Sequence, residues 1–294
     1  MIEAVNLTKN FLTKTALDAV NFTIKDGSIY GLVGSNGSGK STLLRLISGV
    51  YTPDGGDIIV DGMRVFDNAE LKSKICYLPD NPFFIHQANI NDMVKYYKML
   101  YPTFDTERFE YLSGVFPLDP KARIATMSKG MQRQAALMLA LSVNPKYLLL
   151  DEAFDGLDPV MRKVLKSLLA EGVSDGMTAI IASHNLRDLD ELCDTVGLLH
   201  NGKILFNDEI DAVLSEIDED ASVCTSTFFL PHLSERDEIY EVYYTKHTDF
   251  DYLILDFRPG YKEASLRFGE EFENYGYVQI DSGSEYVGLY VKND

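Results

Sequence analysis

The sequence predicts an α/β fold built on buried strands of a mixed sheet, with a helical subdomain and a small C-terminal α+β domain. Three observations carry that expectation. An apolar run, Ile29-Tyr30-Gly31-Leu32-Val33, enters the glycine-rich stretch Gly34-Ser35-Asn36-Gly37-Ser38-Gly39-Lys40-Ser41-Thr42, and a helical run, Leu43-Leu44-Arg45-Leu46-Ile47, follows it. Strand, turn and helix in that order are the context a phosphate-binding loop requires. Residues 147–150 are continuously apolar and end in Asp151-Glu152, and a second buried strand, Thr178 to Ala182, ends in Ser183-His184, as strands buried on both faces of an open α/β sheet do. Residues 225–294 hold 15 of the 33 aromatic side chains, too many for a disordered tail.

The elements follow in chain order. Residues 2–8 and 20–24 alternate apolar and polar, as half-buried strands do, with Phe11 between them and a turn at Lys25-Asp26-Gly27. After the loop and its helix, Pro53-Asp54-Gly55-Gly56-Asp57 is a turn leading to the strand Ile58-Ile59-Val60, and Ile75-Cys76-Tyr77-Leu78-Pro79 is a short buried strand. Residues 90–125 read as a mostly helical insertion. Ser128 is placed as the N-cap of a helix that ends at Asn144-Pro145, so the helical subdomain covers about residues 90–145. The first domain is expected over residues 1–208, an acidic linker or helix over 209–224, and an accessory α+β domain over 225–294. Strands are expected at residues 239–245, 252–257 and 286–292 and a helix at 262–272.

Composition narrows the function. With 46% hydrophobic and 24% charged residues the chain has the makeup of a globular protein. No apolar run approaches the ~18–20 residues of a membrane span, and Met1-Ile2-Glu3-Ala4 lacks a secretory layout. Cys76, Cys193 and Cys224 lack metal-ligand spacing and read as reduced cytosolic thiols. The net charge of −18 is concentrated behind residue 209, where 19 acidic and 6 basic side chains lie. Neither part offers the basic footprint of a nucleic-acid binder.

The chemistry starts from the backbone. Gly34, Gly37 and Gly39 admit torsions that let successive N–H groups turn around phosphate oxygens, and the helix N-terminus adds its positive end. Lys40 is placed to reach β- and γ-phosphates, and the Ser41 hydroxyl to ligate Mg²⁺. Asp151, at a strand end, can hold the same ion from the other side. Glu152 stands where a general base for water is useful, and His184 where a γ-phosphate and that water can be touched. Phe11 offers a flat face to a nucleotide base.

With these motifs in order, the chain resembles the ATP-binding subunits of ABC transporters over about residues 1–208. Met127-Ser128-Lys129-Gly130-Met131 is similar to the family's signature loop, usually Leu-Ser-Gly-Gly-Gln, with Ser128 and Gly130 matching. The resemblance implies a P-loop NTPase of the ABC type, an ATPase using ATP and Mg²⁺. It implies that Phe11 stacks on adenine, that residues 34–42 hold the phosphates, that Glu152 is the catalytic base and His184 the switch histidine. It further implies that Ser128 and Gly130 cap the ATP of an opposite subunit, and that Asp155-Gly156-Leu157-Asp158 is the loop coupling two sites, Asp158 included. Asp80 stands where the family usually has a glutamine that meets Mg²⁺ and the membrane partner. This acidic form and the Ser-Lys-Gly-Met signature resemble single-domain bacterial subunits of ABC-2-type exporters.

The implied role is a peripheral ATPase on the inner face of the cell membrane. It would power integral-membrane permease subunits as a homodimer, or as a heterodimer with a related ATPase subunit, with no nucleic acid. The alternative is a soluble ABC-type ATPase acting on ribosomes or DNA. One phosphate-binding loop and no sustained heptads weigh against it, since such members resemble two fused cassettes or cassettes split by coiled coils. A P-loop kinase or GTPase would not need the signature-like loop, Glu152 and His184.

Overall fold

The structure, a computed structural model, describes the chain apart from residues 13, 186–188, 190–191, 207–216, 218–219, 227–237, 243–244, 246–247, 258–261, 281, 283–286 and 293–294. The chain divides into two compact units, Met1–Leu205 and Phe206–Asp294.

The first unit begins with β1 (Ile2–Phe11), β2 (Lys14–Ile24) and β3 (Ile29–Val33), then α1 (Lys40–Ile47), β4 (Gly55–Val60), β5 (Met63–Arg64), α2 (Ala69–Ser73) and β6 (Ile75–Leu78). The helical part holds α3 (Ile90–Leu100), α4 (Thr106–Val115), a 3₁₀ turn at Ile124–Thr126 and α5 (Lys129–Ser142). β7 (Tyr147–Asp151), α6 (Pro159–Ser174), β8 (Thr178–Ser183), β9 (Thr195–His200) and β10 (Lys203–Phe206) follow. One sheet has the order β2-β1-β4-β5 and is antiparallel throughout; the other has the order β10-β9-β3-β8-β7-β6.

Within the second sheet β9, β3, β8, β7 and β6 run parallel, and β3, β7 and β8 are buried at every residue. That is why their sequences are continuous apolar runs rather than alternating ones. Register then does the positioning. Val33 pairs with Ser183, Ala182 with Asp151, and Leu150 with Leu78. The carboxyl ends of four adjacent strands therefore stop level, and the residues just past them share one edge of the sheet.

The first hairpin is longer than period-2 alternation suggests: β1 reaches Phe11 and β2 starts at Lys14. Register shifts interrupt the β1–β2 pairing between Ala4 and Leu7 and twice more before Asn10, with Asn6 at φ 48° and Ala19 at φ 47°. Each bulge flips the inward face and breaks the alternation. The helices of the insertion are set by their caps. Asn89 and Asp92 close a reciprocal capping box on α3, and the Asp105 carboxylate accepts the Arg108 N–H of α4. From Arg133 to Ser142, α5 is buried all round, packing on β6, α3 and α4.

At the opposite, amino end of the strands a polar cluster ties the two sheets together. Lys146 Nζ lies 2.7 Å from Asp61 Oδ1 and 3.3 Å from Asp26 Oδ2, and the Tyr147 hydroxyl meets the same two carboxylates. Burial pushes the Asp61 carboxyl up, but hydrogen bonds from Lys146 and Tyr147 outweigh it and hold it at about 2. A depressed carboxyl contributes stability that is complete above its unfolded value of 3.8 and is lost as pH falls towards 2. Asp61→Asn is therefore expected to cost about 2 kcal/mol at pH 7 and almost nothing near pH 2, read by denaturant unfolding at both pH values.

The second unit is a mixed sheet with the order β12-β11-β13-β15-β14, from β11 (Val223–Thr225), β12 (Ile239–Glu241), β13 (Tyr252–Asp256), β14 (Tyr277–Ile280) and β15 (Val287–Lys292). Its described helix is α7 (Lys262–Glu273). Alternate residues divide between the two faces. Val223, Ile254 and Leu289 pack with Ile217 on one; Cys224, Leu253, Leu255 and Tyr290 pack with Phe272 of α7 on the other. Val223 and Cys224 thus belong to this sheet rather than to the expected linker, most of which lies outside the described residues. No described helix is long and apolar enough to cross a membrane.

Candidate active site at the carboxyl edge of the parallel sheet

The loop after β3 is shaped by its glycines. Gly39 has φ 117°, and a Cβ on it would lie 2.6 Å from the Ala16 carbonyl; a Cβ on Gly34 would lie 2.4 Å from the Leu199 carbonyl. Both positions exclude any larger residue. Gly39 is the N-cap of α1 and no side chain caps that helix, so its first N–H groups are left to a ligand. Lys40 is only 5% exposed, yet its ammonium is anchored on the Gly34 carbonyl at 2.6 Å and the Ser35 carbonyl at 3.3 Å. Its remaining contact is Glu152 Oε1 at 3.3 Å.

Glu152 follows β7 with φ 50°, a left-handed backbone that costs a non-glycine residue about 1–2 kcal/mol. Its N–H donates to the Ala182 carbonyl at 2.9 Å, so the chain turns off β7 while still tied to β8. The carboxylate lies between two loops. Oε1 faces Lys40; Oε2 accepts the His184 backbone N–H at 3.2 Å and meets His184 Nδ1 at 2.9 Å. Lys40, Glu152 and His184, far apart in sequence, form one chain of contacts.

Asp151 is 1% exposed and its Oδ1 has no hydrogen-bond partner among the described residues, while Oδ2 accepts the Tyr77 hydroxyl at 3.3 Å. Burial raises its carboxyl above the ordinary range; a Ser41 hydrogen bond opposes this, and the charges of Glu152 and Asp80 add to the rise. A buried carboxylate oxygen without a partner, beside a serine hydroxyl and two further acids, suits a hard divalent cation such as Mg²⁺. Asp80 pairs through Oδ1 with Arg133 Nη2 of α5 at 2.9 Å and accepts the Asn81 side-chain N–H at 3.2 Å.

A cavity of about 320 Å³ brings together Phe11, Asn36, Gly37, Gly39, Lys40, Ser41, Thr42, Asp80 and Glu152. Lys14 also lines it, its ammonium 3.2 Å from the Gly37 carbonyl, a residue that motif reading missed. Only the hairpin register, which pairs Phe11 with Lys14, brings it there. Ser128, Gly130 and Asp158 are not among the residues lining this cavity. A second cavity of about 320 Å³ lies beside the N-terminus of α5, lined by Asp80, Asn81, Pro82, Lys129, Gln132, Arg133, Asp155 and Gly156. Ser128 caps α5 by accepting the Met131 N–H at 3.2 Å, and Gln132 holds the loop before it through the Ile124 and Met127 carbonyls. Asp158 is engaged in capping α6, accepting from Val160 and Met161.

Comparison with known proteins identifies the family. The family described as ABC transporter matches residues 17–155. The ABC transporter ATP-binding protein YtrB of Bacillus subtilis (strain 168) is 31% identical over 82% of this chain and 86% of its own length. The lantibiotic transport ATP-binding protein SrtF of Streptococcus pyogenes is 31% identical over 72% of this chain and 92% of its own. Among solved structures, an ATP-binding subunit of an ABC transporter superposes with TM-score 0.66 at 26% identity, covering 72% of this chain and 92% of that one. The dimeric ATP-binding cassette MJ0796, in a post-hydrolysis state with ADP and Pi, shares the fold with TM-score 0.63 at 21% identity, over 69% and 96%. The sheet edge that carries Lys40, Asp151, Glu152 and His184 is thus that of an ABC-type P-loop ATPase, and the chain belongs to the ABC transporter ATP-binding proteins.

Proposed function

We propose that this chain hydrolyses ATP to drive a separate integral-membrane permease, an exporter, through ATP-driven pairing of two such subunits on the inner face of the membrane. One observation supports this reading above all. Lys40 and Glu152 line one cavity, with His184 in contact with Glu152, while the signature-like Ser128 and Gly130 flank Lys129, which lines another. A site that needs both must take the second set from a partner subunit, and a two-fold pair completes two such sites at once.

In the proposed cycle Phe11 stacks on adenine, the N–H groups of residues 34–42 cradle the phosphates, and Lys40 holds the β- and γ-oxygens. Mg²⁺, when bound, neutralises phosphate charge, and Ser41, Asp151 and Asp80 would hold it. Glu152 takes the proton of the attacking water as its oxygen bonds to the γ-phosphorus and the β–γ bridging oxygen leaves with ADP. His184 keeps the Glu152 carboxylate aimed through Nδ1. Ser128, Gly130 and the positive end of α5 close over the ATP of the opposite subunit. Asp158, already capping α6, would set the loop between the two sites.

Support for export comes from the relatives, which include SrtF and the Nod factor export ATP-binding protein I of Sinorhizobium fredii (strain NBRC 101917 / NGR234). Support for a permease comes from exposed apolar side chains in and just before the helical insertion: Phe83, Ile85, Met99, Leu100 and Tyr111. Isolation of the tagged chain from membranes tests the reading. A co-purifying protein with several apolar spans, whose reconstitution raises ATP turnover, is expected; recovery with ribosomes or DNA instead would overturn it.

Asp80 yields a separate prediction. A carboxylate ligates Mg²⁺ or its water more strongly than a neutral amide but repels bare phosphates. Asp80→Asn is expected to need roughly 10-fold more Mg²⁺ for half-maximal ATPase activity, while binding metal-free ATP as well or better. An unchanged Mg²⁺ requirement with lost response to the permease would assign Asp80 to permease contact alone.

A further inference from the structure

β6 and β7 run side by side in parallel, and their register sets Tyr77 opposite Leu149. Leu149 and Asp151 are two residues apart on β7, so Tyr77 shares their face of the sheet. Two residues of parallel strand span about 6.6 Å, a gap that a tyrosine closes and a shorter side chain does not. The Tyr77 hydroxyl accordingly reaches along β7 and donates to Asp151 Oδ2 at 3.3 Å. Oδ1 of the same carboxylate is buried and has no hydrogen-bond partner among the described residues. The two oxygens are unequal: one is held and the other is open.

The hydroxyl has a second neighbour. Arg45 lies in the last turn of α1, the helix that packs on β7. Burial above all raises the pKa of the Tyr77 hydroxyl, the Asp151 charge adds to the rise, and the Arg45 guanidinium opposes it. The chain after α1 then folds back on Arg45. Its carbonyl accepts the Val50 and Tyr51 N–H groups at 2.8 and 3.0 Å, and its guanidinium lies over the Tyr51 ring, 5.7 Å from the centroid. Tyr51 in turn meets the Phe11 ring edge-on, with 5.5 Å between centroids. A guanidinium stacked on an aromatic face is fixed in place while its N–H fork stays free for a partner.

We infer that Tyr77 is the positioning residue of Asp151: its hydroxyl takes Oδ2 and leaves Oδ1 as the oxygen for Mg²⁺, while Arg45, braced by Tyr51, fixes that hydroxyl. This rests on the reading above in which Asp151 holds the metal. Tyr77, Arg45 and Tyr51 do not line the nucleotide cavity, so their effect on bound nucleotide passes through other side chains. A carboxylate with no outer partner can turn either oxygen to a cation in many orientations. Pinning one oxygen removes that freedom before the ion arrives, and outer partners of this kind are typically worth roughly 10–100-fold in metal affinity. Phenylalanine at position 77 fills the same space without the donor.

The test uses the full chain with Tyr77→Phe, Arg45→Met, Arg45→Lys and Asp151→Asn, and Tyr77→Phe combined with Arg45→Met or with Asp151→Asn. The quantity read is the Mg²⁺ concentration that half-saturates binding of a fluorescent ATP analogue. Affinity for the same analogue in EDTA reports on the fold and the phosphate loop alone. Tyr77→Phe is expected to need roughly 10-fold more Mg²⁺, with its affinity in EDTA unchanged. Arg45→Met should shift the requirement in the same direction by less, and Arg45→Lys should restore part of it. Arg45→Met should add nothing once residue 77 is phenylalanine, and Tyr77→Phe nothing once residue 151 is asparagine. An unchanged Mg²⁺ requirement in Tyr77→Phe, or an equal loss of affinity in EDTA, would overturn the inference and leave the ATPase reading in place. Should Tyr77→Phe not fold, equal Mg²⁺ requirements in Arg45→Met and the original chain would overturn it instead. Analogue binding by the original chain that does not depend on Mg²⁺ would remove the metal reading of Asp151, and the inference with it.

Discussion

Glu152→Gln is expected to bind ATP normally and to lose roughly 10²–10⁴-fold of its turnover, the usual contribution of a positioned general base. One Glu152 oxygen faces Lys40 at 3.3 Å and the other is fixed by two nitrogens of His184, so the carboxylate cannot swing away. Glutamine fills the same space but cannot accept a proton from water. If each site borrows Ser128 and Gly130 from a partner, the variant should also accumulate as an ATP-bound pair, since association proceeds and the step that releases it does not. Single-turnover kinetics with size-exclusion chromatography in ATP reads both effects. Near-normal hydrolysis would remove Glu152 from the role of base.

Lys40→Met is expected to fail earlier, at binding. The ammonium is buried and held by two loop carbonyls and a carboxylate. Truncating a buried, hydrogen-bonded charge of this kind costs roughly 2–5 kcal/mol, or about 30-fold or more in affinity. The substitution also strands Glu152 beside Asp151 without its cation, which adds repulsion against the phosphates. Equilibrium binding of a fluorescent ATP analogue measures the loss. Retained affinity with lost turnover would make Lys40 a group that acts only on the transition state.

Much of this site was legible in the sequence because doubly buried strands have a simple signature. The runs that became β3, β7 and β8 are apolar, Thr178 apart, until the sheet ends, so residues 34–42, 151–152 and 183–184 could be assigned to one edge before any register was known. Other parts obeyed forces that a linear pattern does not show. The bulged hairpin hid its true length, and with it the placement of Lys14 beside Phe11. β11 is three residues long, and β14 is an edge strand with Val278 and Ile280 exposed, so neither showed a strand-like run. Asp158, placed by resemblance in the loop coupling two sites, also caps α6 through its carboxylate, a local role that the resemblance did not show. Arg133 could have been found: a lone cation entering the apolar run of residues 135–143 needs a buried partner, and Asp80 is the acid that meets it.

The central claim, that each catalytic site combines the phosphate-binding loop of one chain with Ser128 and Gly130 of another, is tested most directly by mixing two inactive variants. Lys40→Met keeps its signature loop but lacks a working phosphate site; Ser128→Arg keeps the phosphate site but blocks the partner's. In a mixed pair one site joins the intact loop of one chain to the intact Ser128 of the other, and the second site carries both defects. Equal mixing makes about half of all pairs mixed, each with one of its two sites whole, so ATPase activity should return to about a quarter of the unmodified level. Activity of the mixture no greater than that of the two variants assayed separately would contradict the account.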